Sequence, residues 1–235
     1  MAMATNIKLK IVLPGDSVPV EPTATLGPGV YLRGDTGTPI TCRAGMLRGD
    51  PSNKVWVDFD SKRYIPVQDD RVLGVVTKTT GKSYRVDIGS AVSAVFPELA
   101  FEGATKRNKP NIQVGEVVYA RVSRAHKDSE PELSGTDPSG KANGLGPLPA
   151  SGHVFMFKCS LGLCRKLLSP KCPILKSLEG HYKFEVTVGL NGRVWVASGS
   201  VAHTIVIVNA IQNSQYMTET ECRDMVRRLA EVGYS

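Results

Sequence analysis

The alternation of apolar and polar residues divides the chain into three stretches with different periods. Residues 1–62 hold short apolar runs, such as the one at 55–59, between turn sequences rich in glycine, proline and aspartate. No helical period lies between these turns, and short runs bounded by such residues are typical of strands. The pattern predicts a small N-terminal β domain over residues 1–62.

Longer alternating runs follow over residues 63–147, and each is typical of a half-buried strand. The predicted strands lie at 71–78, 83–88, 91–96, 116–122 and 132–134. Five strands with one long connection between the third and the fourth match the strand count of an OB-type β-barrel. The stretch 137–152 is rich in glycine and proline, has no period and is interpreted as a linker.

The last stretch, residues 148–235, alternates between strand-like and helix-like periods. Strands are predicted at 153–158, 183–188 and 193–197, and helices at 161–168, 173–179, 200–212 and from 218 onward. Thr218 and Glu221 have the capping-box spacing that begins the last helix. The whole chain is therefore predicted to be an α+β multidomain protein with a C-terminal α/β domain.

Composition excludes two classes of protein. With 41% hydrophobic and 22% charged residues, the chain has the balance of a folded globular protein and not of a mainly disordered one. No run approaches the roughly 20 apolar residues of a membrane span, and the segment Met1 to Lys10 lacks the apolar core of a secretory signal. We therefore expect a soluble intracellular protein with no membrane partner. The net charge of +7 is compatible with a polyanionic partner.

Residues that carry chemistry are sparse. The five cysteines are an odd number, which argues against a disulfide framework. Cys159, Cys164 and Cys172 lie near two histidines in the sequence, but no CxxC or HxxxH pair is present to hold zinc, so we expect small buried core residues there. Asp69 and Asp70 are interpreted as a turn, since no carboxylate cluster has the spacing of a two-metal nuclease. No catalytic residue, metal site or cofactor is predicted.

Several motifs together resemble one family of RNA-binding proteins. The matching segments are 13–16, 26–29, 70–76, 101–110, 114–122, 133–134 and 189–196. Segments 70–76, 114–122 and 133–134 resemble the S1 domain, which is an OB fold, and the C-terminal stretch with Gly189-Leu190-Asn191-Gly192 is similar to a KH domain. The order of these motifs along the chain resembles the S1/KH cap subunits of the eukaryotic RNA exosome.

The resemblance implies a function. Members of this family are non-catalytic and sit, with other cap proteins, on a ring of RNase PH-like subunits through which RNA threads to a separate exonuclease. The implied partners are single-stranded RNA, bound with little sequence specificity, together with the ring subunits and the other cap subunits. The implied roles are rRNA processing and RNA decay, in the nucleus and nucleolus and also in the cytoplasm. The alternative is a free-standing S1/KH module in translation or ribosome assembly, and a nuclease is a weaker third.

The predicted barrel keeps the charge of an RNA-binding OB fold but not its aromatic platforms. Such barrels combine a cationic groove with aromatic rings on which bases stack. Where the S1 pattern has aromatics, the second strand has Lys82, Ser83 and Arg85, with Tyr84 on the alternate face. Lys82 and Arg85 are therefore candidate phosphate contacts, although exposed basic residues on a strand are often simply solvated.

The loop between the third and fourth barrel strands is the stronger RNA-binding candidate. Lys106, Arg107 and Lys109 place three cations within four residues, and Pro110 stiffens the exit of the loop. Loops at the mouth of an OB fold usually carry its nucleic-acid contacts, whereas a charge run is also typical of a solvated loop. Both interpretations stay open at this point.

The KH-like stretch lacks the usual RNA clamp. In KH domains a GxxG loop between the first two helices grips the RNA backbone, and here that junction, 169–173, contains no glycine. The glycine run lies between two strands, where Gly189, Asn191 and Gly192 are predicted to form a structural hairpin turn with positive φ at asparagine and glycine. The glycines are expected to let the backbone pass close to neighbouring helices. Trp195 is expected to pack and not to stack on a base.

Overall fold

The structure is a computed structural model that describes residues 10–20, 23–50, 53–59, 61, 63–105, 107–108, 110–126, 128–170 and 172–231. The chain divides after Ser61 into two compact units. The barrel and the C-terminal domain belong to the same unit, and the boundary between them at 147 and 148 stays a prediction. Across the described residues, no helix combines the length and the apolar character that a membrane crossing requires.

The first unit is the predicted small β domain. Its described strands are β1 (Lys10–Val12), β2 (Thr25–Leu26), β3 (Val30–Leu32), β4 (Pro39–Thr41), β5 (Gly45–Gly49) and β6 (Lys54–Asp58). Four of them form a sheet in the order β1-β5-β6-β2, and β3 pairs with β4. Alternate residues of β6 point inward, where Val55 and Val57 are buried beside Leu47 of β5. Because the strands are short, the core cluster holds six buried residues among those described.

The strands that follow close into a barrel. They are β7 (Arg71–Thr80), β8 (Ser83–Asp87), β9 (Ala94–Pro97), β10 (Val117–Arg124), β11 (Glu132–Ser134) and β12 (Gly146–Pro147). The sheet order is β11-β9-β8-β7-β10-β12, and the additional pairing of β11 with β10 completes the ring. In β8 and β10 every second residue is buried, which is the alternation that the sequence shows. The predicted five-stranded OB-type barrel is confirmed.

Residues 137–148 belong to the barrel and do not form a linker. The Asp137 carboxylate accepts a hydrogen bond from the Lys141 N–H (3.0 Å) and closes a turn. Beyond this turn β12 pairs with β10, and the Leu148 N–H donates to the Val117 carbonyl (2.9 Å). The linker prediction was wrong here because glycine and proline mark turns without indicating what the turns pack against.

The C-terminal domain has the predicted order strand-helix-helix-strand-strand-helix-helix. Its elements are β13 (His153–Lys158), α1 (Leu161–Leu168), α2 (Pro173–Glu179), β14 (Phe184–Gly189), β15 (Arg193–Ser198), α3 (Val201–Asn213), a short 3₁₀ turn (Ser214–Tyr216) and α4 (Glu219–Glu231). The sheet order is β13-β15-β14, with antiparallel neighbours. Ser160 and Ser200 begin α1 and α3, since each hydroxyl accepts a backbone N–H from the first turn. The predicted α+β fold class is confirmed.

The cysteines differ in exposure. All five lie in described segments, and none of them forms a disulfide. Cys164 and Cys172 are buried core residues, as predicted, whereas Cys159 is only half-buried. No group of three or more histidine, cysteine or carboxylate side chains within the described ranges could hold a metal ion.

Candidate nucleic-acid interface

The hairpin between β14 and β15 packs against the barrel. The side chain of Asn191, 7% exposed, donates from Nδ2 to the carbonyls of Leu73 (2.7 Å) and Ile88 (2.8 Å) and accepts the Leu73 N–H at Oδ1 (3.1 Å). The Leu190 N–H donates to the Arg71 carbonyl (2.9 Å). These bonds join residues that are more than one hundred positions apart in the chain. They attach the C-terminal domain to β7 and to the segment that follows β8.

An ion pair reinforces the same junction. Arg193, 3% exposed, donates from Nη2 to the Asp87 carboxylate (2.6 Å) and from Nη1 to the Asp87 carbonyl (2.6 Å). Partial burial of Asp87 opposes ionisation, but the Gly89 N–H and the Arg193 guanidinium together hold the pKa of the carboxyl below its ordinary value. The junction therefore keeps an ionised carboxylate against a buried arginine.

The hairpin needs its glycines more because neighbouring atoms lie close to the backbone than because of the turn conformation. Among residues 189–192 only Gly192 has a positive φ, +77°, so the expectation of positive φ at Asn191 was wrong. A Cβ at Gly192 would lie 2.8 Å from the Cys159 carbonyl oxygen, next to the start of α1. A Cβ at Gly189 would lie 2.7 Å from the Leu73 nitrogen, so the neighbour of this glycine is a barrel strand and not a helix. The hairpin is thus packed against protein on both sides.

The β7–β8 hairpin of the barrel carries Lys82 and Arg85, which the sequence indicated, and a third cation that it missed. Lys82 is exposed at the tip of the β7–β8 hairpin. Arg85 is half-buried, and its Nη1 lies 2.5 Å from the Glu130 carboxylate, so its charge is partly compensated. Lys78 of β7 is exposed and is the cross-strand partner of Arg85 in β8, so a second cation lies beside Arg85. A bulge between Val76 and Lys78 set this register, and the sequence carried no signal for it.

Tyr84 is a core residue and not a base platform. The ring is 3% exposed, and the hydroxyl donates to the Pro110 carbonyl (2.6 Å). This bond fixes the end of the cationic loop against the barrel. The start of the loop is closed by Thr105, whose N–H donates to the Asn108 carbonyl (3.0 Å). Tyr84 therefore lies on the opposite face of β8 from Arg85, as the alternation in the sequence predicts.

The cationic loop itself is described only in part. Arg107 is exposed between the anchored positions, whereas Lys106 and Lys109 lie outside the described residues. An exposed arginine between two fixed ends is accessible to a phosphate. The assignment of Lys106, Arg107 and Lys109 to RNA stays a prediction.

Trp195 has a structural role. Trp195 is 3% exposed in the central strand β15, which confirms the expectation that it packs.

Asp69 and Asp70 also have structural roles. Asp69 has a positive φ of 69° and accepts a hydrogen bond from Arg121 (2.6 Å), while Asp70 accepts one from the Tyr64 hydroxyl (2.7 Å). Burial raises the pKa of both Tyr64 and Asp70. The turn interpretation of this aspartate pair is confirmed.

Barrel, hairpin and C-terminal domain together define an S1/KH RNA-binding protein, and comparisons with known proteins agree. A family model described as Exosome complex component RRP40, S1 domain, matches residues 64–146, and a KH domain model matches residues 155–202. A third model, described as Exosome complex exonuclease Rrp40 N-terminal domain, matches residues 25–63. The predicted S1-type and KH-type domains and the N-terminal β domain are therefore confirmed.

Curated relatives give the particular family. Exosome complex component RRP40 of Homo sapiens is 40% identical over 211 residues, which cover 87% of this chain and 75% of the relative. The Saccharomyces cerevisiae protein of the same name is 36% identical over 228 residues, or 92% and 94% of the two chains. The chain belongs to the exosome component RRP40 family. A solved structure named as an exosome complex RNA-binding protein shares the fold, with a TM-score of 0.59 at 21% identity over 73% of this chain and 99% of that one.

Proposed function

We propose that this protein is a non-catalytic, RNA-binding cap subunit of the RNA exosome that helps to pass single-stranded RNA into the ring for 3′-to-5′ processing and decay. Its partners are RNA, bound with little sequence specificity, the RNase PH-like ring subunits and the other cap subunits. Membership of the RRP40 family supports this assignment. We also propose that the protein works in the nucleus and nucleolus and in the cytoplasm, where rRNA processing and RNA turnover take place.

The geometry that carries the proposal is the buried Asn191 hairpin. Because this hairpin joins the two RNA-binding folds into one unit, the only GxxG-like run in the sequence of the C-terminal domain is occupied by protein contacts. Among the exposed cations of the barrel, Lys78 and Lys82 lie on the β7–β8 hairpin and Arg107 lies in the cationic loop. We infer that RNA passes along the β7–β8 hairpin and the cationic loop, held by its phosphates.

Phosphate contact at the loop is tested by charge removal. Replacing Lys106, Arg107 and Lys109 by alanine is expected to weaken binding equally for different single-stranded sequences and to reduce the salt slope by about 0.7 for each lost contact. Filter binding at several salt concentrations, with the melting temperature as a fold control, measures both quantities. An unchanged slope would assign these residues to a solvated loop.

Assembly and threading are tested by reconstitution. The ring subunits and the other cap subunits are combined with and without this chain, and size-exclusion chromatography reports its incorporation. Degradation of a single-stranded RNA by the associated exonuclease is expected to be faster with the chain present. A chain that elutes alone would favour the free-standing module over the exosome subunit.

The absence of a catalytic role is a separate claim with its own test. The carboxylates of Asp69 and Asp70 are taken up by hydrogen bonds within the barrel, which supports a structural role for this acidic pair. The purified chain is incubated with end-labelled RNA and Mg²⁺, and no shortened product is expected. Products that persist through purification and vanish in an Asp69→Asn, Asp70→Asn variant would overturn the claim.

A further inference from the structure

Two thiols of the C-terminal domain lie side by side where β13 meets α1. The sulfur atoms of Cys159 and Cys164 are 3.3 Å apart, although no disulfide joins them. A disulfide bond is about 2.05 Å long, so the sulfurs have to approach by only about 1.2 Å. Side-chain rotation supplies a movement of this size without unfolding the strand or the helix.

The backbone holds both cysteines in place. The Cys159 N–H donates to the Gly192 carbonyl (2.8 Å), which ties it to the β14–β15 hairpin. The Cys164 N–H donates to the Ser160 carbonyl (3.2 Å) in the first turn of α1. The short distance between the sulfurs is therefore set by anchored secondary structure and not by a mobile segment.

The two thiols differ in a way that suits a two-step oxidation. Cys159 is half-buried and accessible to a small oxidant, whereas Cys164 is 0% exposed. The hydrogen bond from the Cys164 thiol lowers the pKa of Cys159 against the opposing effect of burial, and the same bond raises the pKa of Cys164. The accessible sulfur is thus the better nucleophile, and the buried one keeps its proton.

We propose that Cys159 and Cys164 form a peroxide-oxidisable thiol pair, a modification site that closes to a reversible disulfide. Cys159 as thiolate attacks one oxygen of hydrogen peroxide, the O–O bond breaks, and the departing hydroxide takes a proton to become water. The Cys164 sulfur then attacks the resulting sulfenic acid, the S–O bond breaks, and a second water leaves with the Cys164 proton. Two thiols and one peroxide yield one disulfide and two waters.

The same domain contains a matched control pair. Cys172 and Cys222 are both buried, and burial together with the nearby Cys172 raises the pKa of the Cys222 thiol, but no sulfur–sulfur hydrogen bond joins the two. Neither is accessible in the folded chain, so both should stay reduced under mild peroxide. Cys42 is exposed, and its replacement by serine prevents disulfides between chains.

The test is peptide mass spectrometry of the full chain in a Cys42→Ser background. Brief hydrogen peroxide treatment is expected to link the peptides of Cys159 and Cys164, with the loss of two hydrogens, and dithiothreitol is expected to reverse the link. Cys172 and Cys222 should be alkylated in full after unfolding. A linked Cys172–Cys222 pair, or Cys159 oxidised to sulfinic acid beside a free Cys164 thiol, would overturn the proposal.

A second variant covers the mechanism. In Cys164→Ser the resolving sulfur is absent, so the sulfenic acid on Cys159 is expected to persist and to be trapped by dimedone, which should label the parent chain little. Cys159→Ser should give no dimedone adduct at all. Equal dimedone labelling of the parent chain and Cys164→Ser, with matching melting curves, would show that Cys164 does not resolve the intermediate.

Discussion

At the scale of single residues, Asn191 has the largest structural role for its size. Its amide uses both donor hydrogens and one acceptor position on the backbone of β7 and on Ile88, in a place that excludes water. Leucine or serine at this position would not supply two donors and one acceptor in one plane. The asparagine is therefore needed for hydrogen bonding and not for turn conformation.

Replacing Asn191 by aspartate tests this role. The carboxylate offers no N–H to Leu73 or Ile88 and places negative charge against two carbonyl oxygens. Two buried acceptors without partners are expected to lower the free energy of unfolding by about 2 to 5 kcal/mol. Urea denaturation measures the change, and Gln113→Ala, at an exposed position, serves as control. A loss as small as that of the control would contradict the role.

Gly192 supports a second prediction. Alanine there has to accept φ +77° and also a Cβ 2.8 Å from the backbone oxygen of Cys159, which has little freedom to move. Gly140 has φ +83° with open space around it and isolates the conformational effect. We expect Gly140→Ala to cost about 1 kcal/mol and Gly192→Ala at least about 2 kcal/mol. RNA affinity per folded molecule should stay nearly constant, and its collapse with an unchanged melting curve would identify a clamp.

At the scale of elements, Arg85 of β8 forms an ion pair with the Glu130 carboxylate. The side chains of Arg85 and Glu130 are 38% and 49% exposed, so solvent screening limits the stabilisation by this pair to no more than about 1 kcal/mol. Its larger effect is on the charge that an approaching phosphate encounters. We therefore expect Glu130 to compete with RNA for Arg85.

Glu130→Gln is expected to strengthen RNA binding. If the released guanidinium contacts one phosphate, the salt slope grows by about 0.7. Asp128→Asn removes the same charge from the same loop without releasing Arg85, and it controls for general electrostatics. Equal gains in the two variants, or a gain that survives in the Arg85→Ala background, would show that Arg85 is not the contact.

The elements were predictable from the sequence to different degrees. Five barrel strands, β7 to β11, and the seven elements of the C-terminal domain follow from local alternation, capping residues and turn residues, whereas β12 lies in the stretch predicted to be a linker. The helix α3 forms in spite of the β-branched residues 205–208 because three of those four side chains belong to its buried face. By contrast, the partners of Asn191 and Arg85 lie far along the chain, so no local pattern contains them. The sequence therefore predicted that the candidate RNA surface is cationic, but it did not predict which of its cations are compensated by carboxylates.

At the scale of the whole molecule, the Asp87–Arg193 pair links stability to pH. The pKa of Asp87 is lower in the folded chain than its ordinary value, so its contribution is complete above the unfolded pKa of about 3.9 and is lost as pH falls below it. Because the Asp87 side chain is 49% exposed, solvent screening limits that contribution to about 1 kcal/mol. The difference in unfolding free energy between the parent chain and Asp87→Asn should be constant from about pH 5 to 7 and shrink below about pH 4. A difference in unfolding free energy that grows as the pH falls would contradict this prediction.

The N-terminal unit leads to the last prediction, which concerns assembly. Ile11 of β1 and Met46 of β5 are cross-strand partners that are 76% and 37% exposed, so two neighbouring apolar side chains of this small sheet are open to solvent. A core cluster of six described residues gives such a unit little stability of its own, and partner subunits would bury the surface that the chain leaves exposed. A partner at one hundred times its dissociation constant adds about 2.7 kcal/mol, which for a domain of this size raises the melting temperature by about 10 °C or more. Hydrogen exchange and thermal melting of the chain alone and in the reconstituted exosome measure the shift. The double variant Ile11→Asp, Met46→Asp should leave the melting temperature of the free chain nearly unchanged but reduce its rise on assembly. An equal melting temperature of the parent chain with and without the ring would remove the physical support for the scaffold role.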